Sequence, residues 1–188
     1  MQYVSLGQTG LKISRLGFGG IPIQRIDQPG TRALLKAVHE AGINYIDTAR
    51  AYTVSESWIG QSLEELGLRD EFVLATKCRA LTAEDMRAEL AESLKNLRTD
   101  HIELYQFHNP SLKDLETILA PGGSMEALLE AKKEGKVGHI GLTAHLAAVF
   151  EKALEVDEIE TIMFPYNIVE QQGADLIAKC AAAGQGLH

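Results

Sequence analysis

Two cysteines, Cys78 and Cys180, in 188 residues are too few for a disulfide framework and suit a reducing compartment. No apolar run approaches the roughly 18 residues a membrane-spanning helix needs. Basic residues are outnumbered, 18 against 26 acidic, for a net charge of −8. A nucleic-acid partner is not expected, because phosphate binding wants a basic face. The opening MQYVSLGQTG has no basic stretch followed by an apolar one, so no secretion signal is read there and the expected location is the cytoplasm. What is present is ordinary globular material: 45% hydrophobic and 23% charged residues rule out wholesale disorder.

The pattern is strand, then helix, repeated. Strands are read at 16–20, 44–49, 72–77, 102–108, 139–144 and 161–166. Helices are read at 31–42, 55–67, 82–97, 124–135, 145–155 and 168–184, with Ser55 and Thr82 as N-caps and Gly42, Gly67 and Gly135 as stops. The segment 108–123 reads as an elaborated loop, and GQGLH as a trailing end. Strand centres lie roughly 22 to 36 residues apart, a spacing that suits parallel strands joined by helical crossovers. Two α/β folds fit: an open doubly wound sheet, or a parallel (β/α) TIM barrel.

The first strand-to-helix turn chooses between them. A dinucleotide-binding open sheet would show GxGxxG there. Gly17 and Gly19 are present, but Pro22 stands where the third glycine belongs. Ahead of that strand, residues 1–14 read as a β-hairpin able to plug the bottom of a barrel. The expectation is one barrel domain over 1–188. Only six strands are counted, against the eight units and about 250 residues of a full barrel. The seventh and eighth units are expected to be missing, leaving open edges at LGFGG and TIMFPY that invite self-association.

In such barrels chemistry gathers where strands end. Asp47 ends one strand, with Tyr52 five residues on; Lys77 ends the next; His108 ends the one after. Each taken alone has an ordinary reading as a turn, cap or solvent-reaching residue. Together they make coherent chemistry. An ammonium near a phenol favours the tyrosinate and lowers its pKa. A carboxylate keeps the lysine charged, and a neutral histidine can hold a carbonyl oxygen in line. No side chain donates hydride, so a nicotinamide cofactor is implied. His139, His145 and Cys78 fit no usual zinc spacing, and no metal is expected. Two rival readings stay open: Lys77 as a Schiff-base lysine, and a non-catalytic barrel fragment serving as an interaction module.

GINYIDTARAY resembles the aldo-keto reductase signature, and FVLATK, IELYQFHNP and GKVGHIGLTAH resemble that family's later motifs. The likeness runs from about residue 2 to about residue 184. It implies reduction of an aldehyde or ketone by NADP(H), with NAD(H) the alternative. Tyr52 would be the acid/base, Lys77 its partner, Asp47 the counter-ion and His108 the carbonyl-orienting group. The resemblance also sets Gly19, Gly20 and Asp47 near the cofactor, and Thr143 and Asn167 near its amide. FGGIPIQRI and LETILAPGG resemble a bacterial and archaeal branch that often carries an iron–sulfur segment. Two departures stand out: Ala144 and Met163 occupy positions where the family commonly has Asn and Gln.

Overall fold

The computed structural model describes residues 1–171 and 173–188. Strands β1 (Tyr3–Ser5) and β2 (Lys12–Ser14) form the expected antiparallel hairpin, with Val4 opposite Ile13. Gly7 (φ +55°) and Gly10 (φ +77°) supply the left-handed backbone its turn requires. Among the described residues seven parallel strands then pair in chain order. They are β3 (Phe18–Gly19), β4 (Tyr45–Asp47), β5 (Val73–Cys78), β6 (Ile102–His108), β7 (Val137–Thr143), β8 (Thr161–Met163) and β9 (Gly186–Leu187). The sheet curls into an incomplete barrel, with no ladder closing β9 onto β3 among the described residues.

The two-residue period of a strand sorts the side chains. Tyr45, Ala75 and Leu104 face inward and pack under Leu6 and Ile13, so the hairpin fills the bottom of the barrel. Ile46, Leu74, Cys78, Tyr105 and Phe107 face outward into the main core beneath the helices. Those helices are α1 (Gln28–Glu40), α2 (Ser55–Leu66), α3 (Ala83–Leu97), α4 (Leu112–Leu119), α5 (Ser124–Lys133), α6 (Ala147–Ala153) and α7 (Ala174–Ala183). By the same alternation, the inward residues one step further along are Asp47, Lys77 and Gln106, with Lys77 opposite Gln106 in the ladder.

The structure corrects several sequence expectations. Helix α1 begins at residue 28 rather than 31, because the Asp27 side chain caps it by accepting from the Gly30 N–H at 2.8 Å. Ser55 is not the cap of α2; Val54 holds that position, and the Ser55 hydroxyl is used in tertiary bonds. The expected loop at 108–123 contains α4, started by a reciprocal capping box between Ser111 and Asp114. The helix expected over 168–184 starts only at Ala174; its residue Gln172 lies outside the described residues. The end of the chain does not trail off. Gly186 and Leu187 pair with Thr161 and Ile162 as a seventh parallel strand. The open edges are therefore β3 and β9, not β3 and TIMFPY.

Candidate active site

The inward residues at the upper ends of β4, β5 and β6 meet. Lys77, only 2% exposed, donates from Nζ to Asp47 Oδ1 and to the Thr48 carbonyl at 2.7 Å. Gln106 Nε2 donates to the other Asp47 oxygen at 3.1 Å. Burial pushes the Lys77 ammonium below its ordinary value and the Asp47 carboxyl above its own, and their ion pair opposes both shifts. Charges in this setting need each other: either one alone would be an uncompensated charge in a low-dielectric interior.

Tyr52 reaches the same place from the β4–α2 loop. The ladder continues past β4, with Thr48 N–H on the Ala75 carbonyl (2.8 Å) and Arg50 N–H on the Lys77 carbonyl (2.9 Å). The loop then turns back, Thr53 adopting a left-handed φ of +45°. Lys77 Nζ lies over the Tyr52 ring, 5.2 Å from its centroid. His108 stands edge-on to the same ring, with centroids 5.8 Å apart and planes at 88°. Tyr52, Lys77, Asp47 and His108 are thus brought together.

The electrostatics correct one expectation. The phenol pKa lies above its ordinary value, not below it. Burial raises it, the Asp47 carboxylate raises it further, and Arg79 opposes them. Desolvation of the phenol is the largest of these effects. His108 moves the other way: burial first, then Lys77, Arg79 and His145, push it down to about 4. The imidazole is neutral at pH 7, and its Nδ1 is buried without a hydrogen-bond partner.

The residues expected around a cofactor are more scattered. Gly19 is exposed, and nothing lies within 4 Å of where a Cβ would stand. It lines an open cleft of about 710 Å³ with Tyr45, Asp47, Met163, Leu187 and His188. Gly20 is buried, its N–H on the Asp47 carbonyl at 2.7 Å; an added Cβ would sit 2.8 Å from Ser55 Oγ. Thr143 is opposite His108 in the ladder, and its hydroxyl accepts from the Asn109 N–H at 3.2 Å. Asn167 does not point its amide at this group. Its Oδ1 accepts from the N–H groups of Val169 and Glu170, and its Nδ2 donates to Glu170, all at 2.9 Å.

The sequence model described as the aldo/keto reductase family matches residues 15–187. The chain belongs to the aldo/keto reductase family. It is 32% identical over 189 residues to aldo-keto reductase YhdN of Bacillus subtilis, covering 92% of this chain and 56% of that protein. It is 31% identical over 201 residues to the NADH-specific methylglyoxal reductase of Escherichia coli, covering 91% and 60%. The holo form of aldo-keto reductase AKR11C1 from Bacillus halodurans superposes with a TM-score of 0.88 at 29% identity, covering all of this chain and 65% of the other. The chain thus spans less than two thirds of each of these three.

Two polar residues of this aldo/keto reductase barrel escaped the sequence reading. Gln106, fully buried, holds Asp47 while its own Oε1 has no partner; it sits inside a run of apolar residues that reads as core. Tyr45 is buried with its hydroxyl 2.8 Å from His188 Nδ1, and burial holds that imidazole down at about 3. The signal for both was available: each shares the inward strand face with a site residue, Tyr45 two positions from Asp47 and Gln106 two from His108.

Proposed function

We propose that this chain carries the carbonyl-reducing centre of a nicotinamide-dependent oxidoreductase, acting on small aldehydes or ketones. The observation that carries the reading is the convergence of Tyr52, Lys77 and His108 over the buried Asp47 pair. A reduced nicotinamide, NADP(H) in the leading reading and NAD(H) in the alternative, would supply the hydride to the carbonyl carbon. Tyr52, protonated at neutral pH, gives its hydroxyl proton to the carbonyl oxygen as that oxygen gains charge. Lys77 then faces the phenolate left behind, and Asp47 keeps the lysine charged for that moment. His108, neutral, binds the carbonyl oxygen without competing for the proton.

The cleft along β3 and β4 supports the cofactor assignment. Gly19 leaves its floor bare and Asp47 lines it, with Gly20 bonded to the Asp47 carbonyl behind; Thr143, paired with the lining residue Met163, keeps a hydroxyl for an amide group. Asn167 serves this role only if its turn opens. The relative named a methylglyoxal reductase makes short dicarbonyls the first substrates to try. Two free, buried thiols suit a cytoplasmic setting.

Steady-state oxidation of NADPH and NADH with a panel of short aldehydes and ketones tests the reading. Turnover with formation of the alcohol is expected. No cofactor binding up to millimolar concentration, with no turnover, favours the interaction-module reading instead. The Schiff-base reading is disfavoured because Lys77 commits its charge to Asp47 and a further N–H to Thr48; borohydride trapping of a substrate adduct on Lys77 would restore it.

A further inference from the structure

Behind the sheet, on the side away from Lys77, lies a second buried charge that the proposed chemistry does not use. Glu56, in the first turn of α2, is 1% exposed. One carboxylate oxygen accepts from Thr76 Oγ1 and Ser93 Oγ, both at 2.8 Å. The other accepts from Arg50 Nη1 at 2.9 Å. Arg50 turns its Nε to Glu89 at 2.7 Å, and Asn96, with its amide oriented to satisfy both ends, accepts from Arg50 Nη1 at 2.9 Å. A buried carboxylate is costly unless fully paired, and one is not needed merely to start a helix. This one ties together three elements: the β4–α2 loop through Arg50, β5 through Thr76, and α3 through Ser93.

We propose that Glu56 is a positioning residue for Tyr52, acting through Arg50. The inference rests on the reading of Tyr52 as proton donor. Arg50 opens the loop that carries Tyr52, and its N–H is bonded to the carbonyl of Lys77 itself. Thr76, which Glu56 also holds, is the residue before Lys77. One carboxylate therefore sets both sides of the Tyr52–Lys77 approach. The far end of the loop is held separately by Ser55, whose hydroxyl donates to the Gly20 carbonyl (2.9 Å) and accepts from Thr48 Oγ1 (2.8 Å). Between these two anchors only Ala51 to Val54 remain, and Thr53 at positive φ needs restraint from outside to stay there. Loosening Arg50 frees the phenol by fractions of an ångström, and misplacement on that scale costs turnover steeply.

Glu56→Gln keeps the shape and can still bond Thr76 and Ser93, but removes the charge that holds Arg50. Two readouts test the proposal. In amide hydrogen exchange of the chain alone, the Arg50 and Tyr52 amides are expected to exchange faster, while those of β6 and β7 are unchanged. In steady-state assays kcat is expected to fall at least about tenfold, with KM and the cofactor Kd within roughly threefold. Glu89→Gln, which loosens Arg50 from the exposed side, is expected to shift both readouts the same way by less. A folded Glu56→Gln chain with unchanged loop exchange and kcat within twofold overturns the proposal. If Glu56→Gln does not fold, an unchanged Glu89→Gln chain overturns it equally. Retention of activity by Tyr52→Phe would instead sink the reading of Tyr52 as proton donor, which separates the two failures.

Discussion

A histidine buried beside an ammonium holds its proton poorly, and at His108 this ties folding to pH. Unfolded, its imidazole titrates near 6.5; folded, only at about 4. Unfolding below pH 6.5 therefore takes up a proton, so stability is lost as pH falls through that window. His188, held at about 3, adds in the same direction. The urea midpoint is expected to be lower at about pH 5 than at about pH 7, and His108→Gln to flatten part of that slope; a midpoint constant across the window contradicts both pKa directions. The Asp47–Lys77 pair gives a second expectation. Lys77→Met leaves the half-buried Asp47 carboxylate with Gln106 but without its ion pair and should cost up to about 3 kcal/mol, much of it recovered in the Asp47→Asn, Lys77→Met double variant. Equal and additive losses in a denaturation cycle would contradict the pairing. At this scale the charged residues were legible because each interrupts or ends an apolar run. Gln106 was not, since an amide inside a strand reads as either face. The direction of the Tyr52 pKa was not legible either, because it depends first on how far the fold buries the phenol.

Helices α2 and α3 touch through a glycine. A Cβ on Gly60 would sit 2.3 Å from the Asn96 carbonyl oxygen and 2.6 Å from Leu97 Cα, both backbone. Neither can yield as a side-chain tip would, so Gly60→Ala should destabilise by about 1–3 kcal/mol through forced separation of the pair. Ser111→Ala, which removes the α4 cap, should cost about 1 kcal/mol. Chemical denaturation checks both; wild-type stability in Gly60→Ala would mean the helices stand further apart. Most elements were legible from apolar runs and punctuation: runs apolar on both faces placed β5 and β6, and Gly67 at φ +66° ends α2 as a helix stop should. Helix α4 carried its signal in Ser111 and Asp114, three residues apart, but lay where a barrel loop was expected. The short β9 lies where strand spacing would begin a seventh strand, near Gly186, but its two residues gain strand geometry only from a neighbour, here Thr161 and Ile162.

Over the whole molecule, the hairpin closes one end of the barrel and the charged residues gather at the other. Among the described residues the sheet remains open between β3 and β9, where the cleft of about 710 Å³ lies. Unpaired edges offer N–H and C=O groups to another strand. Self-association through them is expected, read as a light-scattering mass above that of one chain and falling on dilution. A compact monomer at all concentrations contradicts it. The barrel class was legible in the repeat of strand and helix, and its open side in the number of strands, while the second edge was misplaced because β9 pairs beyond TIMFPY. In the proposed reading, residue, element and barrel serve one arrangement: a phenol carried by the β4–α2 loop to a buried lysine, from which it gives up a proton. Replacing Tyr52 by Phe tests that most directly. Carbonyl reduction should fall by about 10²-fold or more with nicotinamide affinity unchanged, whereas a variant retaining most of its turnover would show that the proton comes from somewhere else.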